Sequence, residues 1–231
     1  MEMNMEKVNF EKPIIAIGDI HGRTCWKEIV QQHPDCMYVF LGDYLDPYTN
    51  IAPQALMDNL RDIIRLKEAQ PENTVLLLGN HDLHYITDKI LRSTRWDMQI
   101  AKEAMLLFSV HIQLFQFAYQ QGNHIFTHAG IAHDWFVNDF KGDFGKNIAD
   151  QLNHPKPEQE VYLYGCGICR GGDMRYGGIF WADTADLIKP LQVFTQVVGH
   201  NQVQDISEHI FDNGKIIFCD CLKNQKYLKL G

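Results

Sequence analysis

Pro13-Ile14-Ile15-Ala16-Ile17-Gly18-Asp19-Ile20-His21-Gly22 sets a short apolar run against a glycine, then places an aspartate and a histidine two residues apart. The design recurs twice downstream. Residues 37–41 run into Gly42-Asp43-Tyr44-Leu45-Asp46, and residues 74–78 run into Gly79-Asn80-His81-Asp82. Short apolar runs closed by glycine read as buried strands. Residues 24–32, between the first two runs, have helical character. So do residues 52–69, with Pro53 in the first turn, Leu56, Leu60, Ile63 and Ile64 on one face, and Pro71 beyond the end. This β-α-β-α-β order predicts an α/β fold with a largely parallel sheet and helices packed on it. Ligands of such sheets bind beyond the carboxyl ends of the strands, so three successive strands deliver Asp, His and Asn side chains to one rim.

The remainder of the chain is less regular. The spacing of Ala101, Ala104, Met105, Phe108, Ile112 and Phe115 predicts one long buried helix over 97–119. Residues 124–127 read as a strand leading into Thr127-His128-Ala129-Gly130. Residues 131–176 follow no single period and hold Pro155, Pro157 and much of a glycine-rich run. They read as an inserted cap or elaborated loop within one domain spanning 1–231. Residues 194–198, 207–211, 215–219 and 226–230 alternate, and Asn213-Gly214 is a hairpin signal, so the C-terminal part is expected to be strand-rich and antiparallel. Val198-Gly199-His200-Asn201 adds a further histidine just after one of these strands.

Composition narrows the function classes. The 231 residues carry a net charge of −8, which offers no overall attraction for nucleic acid or an anionic membrane. There is no apolar run of the roughly 18 residues a span requires, and the first residues lack the apolar core of a secretion signal. A cytoplasmic protein is expected, with Cys25, Cys36, Cys166, Cys169, Cys219 and Cys221 as free thiols. Cys166 and Cys169 have the spacing of half a zinc knuckle but no suitable second pair.

Carboxylate oxygen and imidazole nitrogen are the usual ligands of borderline divalent metals. An Asp, a His, a bridging Asp, an Asn and two further His would fill a two-metal site. Two such ions would make the pocket net positive inside an acidic protein, favouring a phosphate ester. With these motifs in order, the sequence resembles the calcineurin-like metallophosphoesterases, closest to their phosphoprotein-phosphatase branch. The family's Gly-Asp-x-His-Gly stands at Gly18 to Gly22 and its Gly-Asn-His-Asp at Gly79 to Asp82. Its Gly-Asp-x-x-Asp is matched at Gly42 to Asp46, and its later histidine patterns at His128-Ala129-Gly130 and Gly199-His200.

The resemblance implies a four-layer α-β-β-α sandwich with a binuclear metal site at the carboxyl ends of the strands. It implies that Asp19 and His21 bind one metal, that Asp43 bridges, and that Asn80, His128 and His200 bind the second. His81 would be the general acid and Asp46 its orienting partner. The implied enzyme is a metallophosphatase, a serine/threonine-phosphatase-like phosphomonoesterase using a hydroxide shared by two divalent ions, Mn or an Fe/Zn pair. Its substrate would be a phosphorylated small molecule, nucleotide or protein. The alternatives are a nucleotide or dinucleoside-polyphosphate hydrolase or phosphodiesterase, and a non-catalytic metal-containing binding module. Two departures stand out: Pro47 and Asp183 occupy positions where relatives often carry phosphate-gripping arginines. Gln202 replaces the second histidine of the Gly-His-x-His found in diesterase branches. Arg170, and after it Arg175, in the glycine-rich segment are the candidate replacement grips, because arginine binds phosphate bidentately.

Overall fold

The computed structural model describes residues 11–90, 95–212 and 214–231. The chain begins β1 (Ile14–Ile17), α1 (Trp26–Gln32), β2 (Met37–Phe40), α2 (Pro53–Ala69) and β3 (Thr74–Leu77). Short α3 (Asn80–Leu83), α4 (Met98–His111), β4 (Phe115–Gln116), β5 (Ala118–Gln121) and β6 (His124–Thr127) follow. Then come α5 (Ile148–Asn153), α6 (Pro157–Leu163), β7 (Thr195–Gln202), β8 (Ser207–Phe211), β9 (Gly214–Asp220) and β10 (Leu228–Leu230).

Among the described residues the strands form two five-stranded sheets, ordered β10-β1-β2-β3-β4 and β5-β6-β7-β9-β8. In the first, β1 to β4 are parallel and only edge strand β10 is antiparallel. Strand residues are apolar on both faces because both faces are covered. Ile14, Ala16, Val39, Leu41, Val75 and Leu77 pack with Phe126, Val197, Ile217 and Cys219, and this is the layer between the sheets. The alternate residues Ile15, Ile17, Tyr38, Phe40, Leu76 and Leu78 share the larger core with Trp26 and Ile29 of α1, Leu60 and Ile63 of α2, and Ala104 and Phe108 of α4. Ile125, Val198 and Ile216 of the second sheet belong to that core together with Trp135, Phe136, Phe140 and Leu191. The result is the expected sandwich of helices, sheet, sheet and helical segments.

Two expectations are corrected. The long helix does not run to residue 119. It ends at His111, tightens into a 3-10 turn at Ile112–Leu114, and the chain then extends as β4 and β5. Phe115 pairs with Leu76 and is buried in the sheet, so edge pairing overrides the local helical period. Of the proposed stripe, Ala101, Ala104 and Phe108 are buried, whereas Met105 and Ile112 face outward. The C-terminal strands are also not simply antiparallel. β7 lies parallel to both β6 and β9, while β8 pairs antiparallel with β9 and β10 joins the other sheet. Asn213, half of the expected hairpin turn, lies outside the described residues, as do residues 1–10 of the N-terminal stretch.

Residues 131–176 hold a π-helical turn at Trp135–Asp139, then α5 and α6, then the glycine-rich segment. They cover the outer face of the second sheet: Gln196 of β7 bonds both the N–H and the carbonyl of Ile131. No helix among the described residues is long and apolar enough to cross a membrane.

Candidate metal centre

The carboxyl ends of β1, β2, β3 and β6 release the chain at one rim. Asp19 and His21 follow β1, Asp43 and Asp46 follow β2, Asn80 and His81 follow β3, and His128 follows β6. His200 was expected after a strand; it lies within β7, where the pairing with β9 shifts register between Val198 and Gln202. The irregularity turns the side chain toward the rim, as bulges beside functional sites do. His21, Asp43, Asp46 and His200 all have left-handed backbone, with φ of 42°, 53°, 57° and 59°. Such residues are costly without glycine and cluster where the surrounding structure over-determines them.

Close backbone approach makes this possible. Gly42 has φ +102°, and a Cβ there would come 2.5 Å from the Gly79 nitrogen. A Cβ on Gly79 would strike the Asp43 carboxylate. Asp82 ties the same two loops. Its Oδ2 accepts the N–H of Asp43 at 2.8 Å and of Gly79 at 2.9 Å, and its Oδ1 accepts that of Tyr44 at 2.8 Å. Asp82 thus braces the loops.

The polar atoms at the rim suit divalent cations. His21 Nδ1–H donates to the Leu45 carbonyl at 2.9 Å, and His128 Nδ1–H to the Leu41 carbonyl at 2.8 Å. Each ring therefore presents its Nε2 lone pair inward. The Nε2 of His21 faces Asp43 Oδ2 at 3.6 Å and Asp19 Oδ2 at 3.8 Å. The Nε2 of His128 faces Asn80 Oδ1 at 2.9 Å and Asp43 Oδ2 at 3.5 Å. His200 Nδ1 lies 3.0 Å from the same Asn80 oxygen. Lone pairs converging on carboxylate and amide oxygens repel one another unless a cation sits among them. Asp43 Oδ2 stands between His21 and His128, while Oδ1 is taken by the His81 N–H at 2.9 Å. Among the described residues, two clusters of ligand atoms share Asp43, His21-Asp43-His81 and Asp43-His128-His200, and a third joins Asp46, His81 and His84. This arrangement is consistent with a binuclear metal site.

Electrostatics agree. Burial, against a weaker upward pull from Asp43, pushes the His21 pKa down to about 4. Burial also lowers His128, and it lowers His200 well below the usual range. Neutral imidazole is the form that ligates. Burial, then Asp220 and Asp43, raise Asp19, and burial followed by Asp43 pushes Asp220 up to about 6. Crowded, buried carboxylates of this kind are relieved by a cation.

His81 Nδ1 lies 2.8 Å from Asp46 Oδ2. Burial lowers the His81 pKa, but Asp43 and Asp46 outweigh it and the net shift is upward. Sequence reasoning missed the rest of this network. His84 Nε2 also reaches Asp46 Oδ2 at 2.8 Å, and the Tyr85 hydroxyl donates to Asp46 Oδ1 at 2.6 Å. The available signal was a second histidine three residues after His81, one helical turn along α3.

The two candidate arginines part company. Arg170 Nε pairs with Asp183 Oδ2 at 2.7 Å, its Nη2 donates to Asn201 Oδ1, and its charge acts on His128 and His200. It is a clamped side chain at the rim, and Asp183 is its anchor. Arg175 is not brought to the rim: it lies over the Tyr176 ring, 5.0 Å from the centroid, and acts on Asp139. All six cysteines are free thiols.

A family model described as calcineurin-like phosphoesterase matches residues 12–208. Among solved structures, the chain is similar to a cold-active protein tyrosine phosphatase, with 14% identity over 96% of this chain and 74% of that one and a TM-score of 0.57. A mutant cold-active protein tyrosine phosphatase gives 14% identity over 96% and 76%, with a TM-score of 0.56. A metallophosphoesterase from Sphaerobacter thermophilus gives 17% identity over 89% and 75%, with a TM-score of 0.41.

Proposed function

The chain belongs to the calcineurin-like phosphoesterases, metal-dependent hydrolases of phosphate esters, and on that premise we propose that it is a phosphomonoesterase. Asp19, His21 and Asp43 hold one divalent ion in this reading, and Asp43, Asn80, His128 and His200 hold the other. Bound ions of this kind lower the pKa of a water and offset charge on the phosphoryl oxygens. The chain's own groups do the rest. Asp46 accepts the Nδ1 proton of His81 and fixes the ring. That leaves Nε2 to deliver a proton to the departing ester oxygen. Arg170, held by Asp183 and Asn201, offers its remaining N–H groups to a phosphoryl oxygen on the His200 side.

The observation that carries this reading is the buried Asp46–His81 pair beside the ligand cluster. A protein that only held metal would have no use for a histidine oriented by a buried carboxylate. The test is hydrolysis of an aryl phosphomonoester and an aryl phosphodiester by Mn²⁺-loaded protein, wild type and His81→Ala. Monoester turnover that collapses in the variant supports the proposal. A diester preference, or monoester turnover unaffected by the variant, refutes it.

A further inference from the structure

Tyr48 stands at the mouth of the cluster, 46% exposed. Its ring meets His21 edge-on, with centroids 4.8 Å apart and planes at 84°. The guanidinium of Arg95 covers the ring at 4.0 Å from the centroid, and Arg95 Nη1 donates to the Pro47 carbonyl at 3.4 Å.

The segment carrying Arg95 is pinned to the catalytic network. Trp96 stacks on Tyr85 with centroids 6.3 Å apart, and the Asp97 N–H donates to the Tyr85 hydroxyl at 2.9 Å. That hydroxyl in turn bonds Asp46, the partner of His81. An exposed phenol and a cation are therefore held at the His21 side of the rim, while Arg170 is held at the His200 side. Neither Tyr48 nor Arg95 has a task in holding metal.

We propose that Tyr48 and Arg95 are a phosphoryl grip that selects monoesters over diesters. This rests on the phosphoesterase reading above. A phenol hydroxyl can donate a hydrogen bond to a phosphoryl oxygen. Arginine adds charge-assisted donors in a planar fork. A monoester dianion has three non-esterified oxygens, enough for the two ions, Arg170 and this pair. A diester has two such oxygens and one negative charge, and its second ester group would have to occupy the Tyr48–Arg95 side.

The experiment uses Mn²⁺-loaded wild type, Tyr48→Phe, Arg95→Ala and Arg95→Lys, first matched for Tm and metal content. Aryl monoester and diester kinetics are measured, with calorimetric binding of inorganic phosphate as the second readout. Tyr48→Phe is expected to lower monoester kcat/KM roughly tenfold to a hundredfold, the worth of one hydrogen bond to a charged group. Arg95→Ala is expected to weaken phosphate binding and raise the monoester KM by about tenfold or more, with Arg95→Lys intermediate. Monoester losses should exceed diester losses by about tenfold. Wild-type monoester kinetics and phosphate affinity in Tyr48→Phe and Arg95→Ala, or equal loss on both ester classes, overturns the proposal. If the loaded wild type turns over neither ester, the phosphomonoesterase reading fails, and phosphate affinity across the variants still decides for or against the grip.

Discussion

Replacing Asp82 tests how the candidate metal site is held together. Its carboxylate is fully buried and accepts three backbone N–H groups, from Asp43, Tyr44 and Gly79, at 2.8, 2.8 and 2.9 Å. A hydrogen bond to a charged group is worth about 1.5–3 kcal/mol, and stranded buried donors cost similar amounts, so Asp82→Ala has a ceiling of roughly 9 kcal/mol. Removing a buried charge recovers several kcal/mol of desolvation, which brings the expected net loss to about 3–5 kcal/mol. Asp82→Asn keeps the volume but turns an amide N–H toward at least one backbone N–H, so a loss of about 2–3 kcal/mol is expected. Urea unfolding of metal-stripped protein measures both, because bound metal would add its own linkage term. The midpoint should fall while the slope stays constant. Metal affinity of the folded variant should drop about 10- to 100-fold, as for other residues that orient ligands. A loss below about 1 kcal/mol for Asp82→Ala, well under one charged hydrogen bond, would refute the bracing account.

His81→Ala should slow monoester turnover by about 10²–10⁴-fold, the range of general acid–base assistance, while metal content by elemental analysis stays at the wild-type level. Asp43→Asn should lower metal content, because Asp43 Oδ2 stands between the two histidines; wild-type content in that variant would contradict the bridging assignment. Stripping metal with a chelator should lower Tm, and restoring Mn²⁺ to 100 times its dissociation constant should return about 2.7 kcal/mol of stability for each site filled, read by calorimetry.

Much of this was legible in sequence because the parallel half writes its strands as short apolar runs and its site as the residues just after them. Asp19, His21, Asp43, Asn80, His81 and His128 all follow strand ends, so locating the strands located the rim. His200 was readable as a motif but not as geometry, since its orientation depends on a register shift between two strands distant in sequence. The overrun of α4 has the same origin: Phe115 fits a helical stripe, and only the free edge of β3 draws it into a strand. His84 and Tyr85 carried no sequence signal beyond helical spacing, because their role exists only where α3 meets the loop after β2. Arg170 and Asp183 lie thirteen residues apart in an irregular segment, and their pairing at 2.7 Å is visible only in three dimensions.

In the proposed reading, two divalent ions sharing Asp43 make this chain a phosphatase. Its most direct test is to titrate Mn²⁺ into metal-stripped protein while following bound metal and aryl-phosphate hydrolysis together. Stripped protein should show no turnover, and activity should rise to a plateau as about two ions bind per chain. Hydrolysis in fully stripped protein, or a plateau reached with one ion bound and none further taken up, would contradict it.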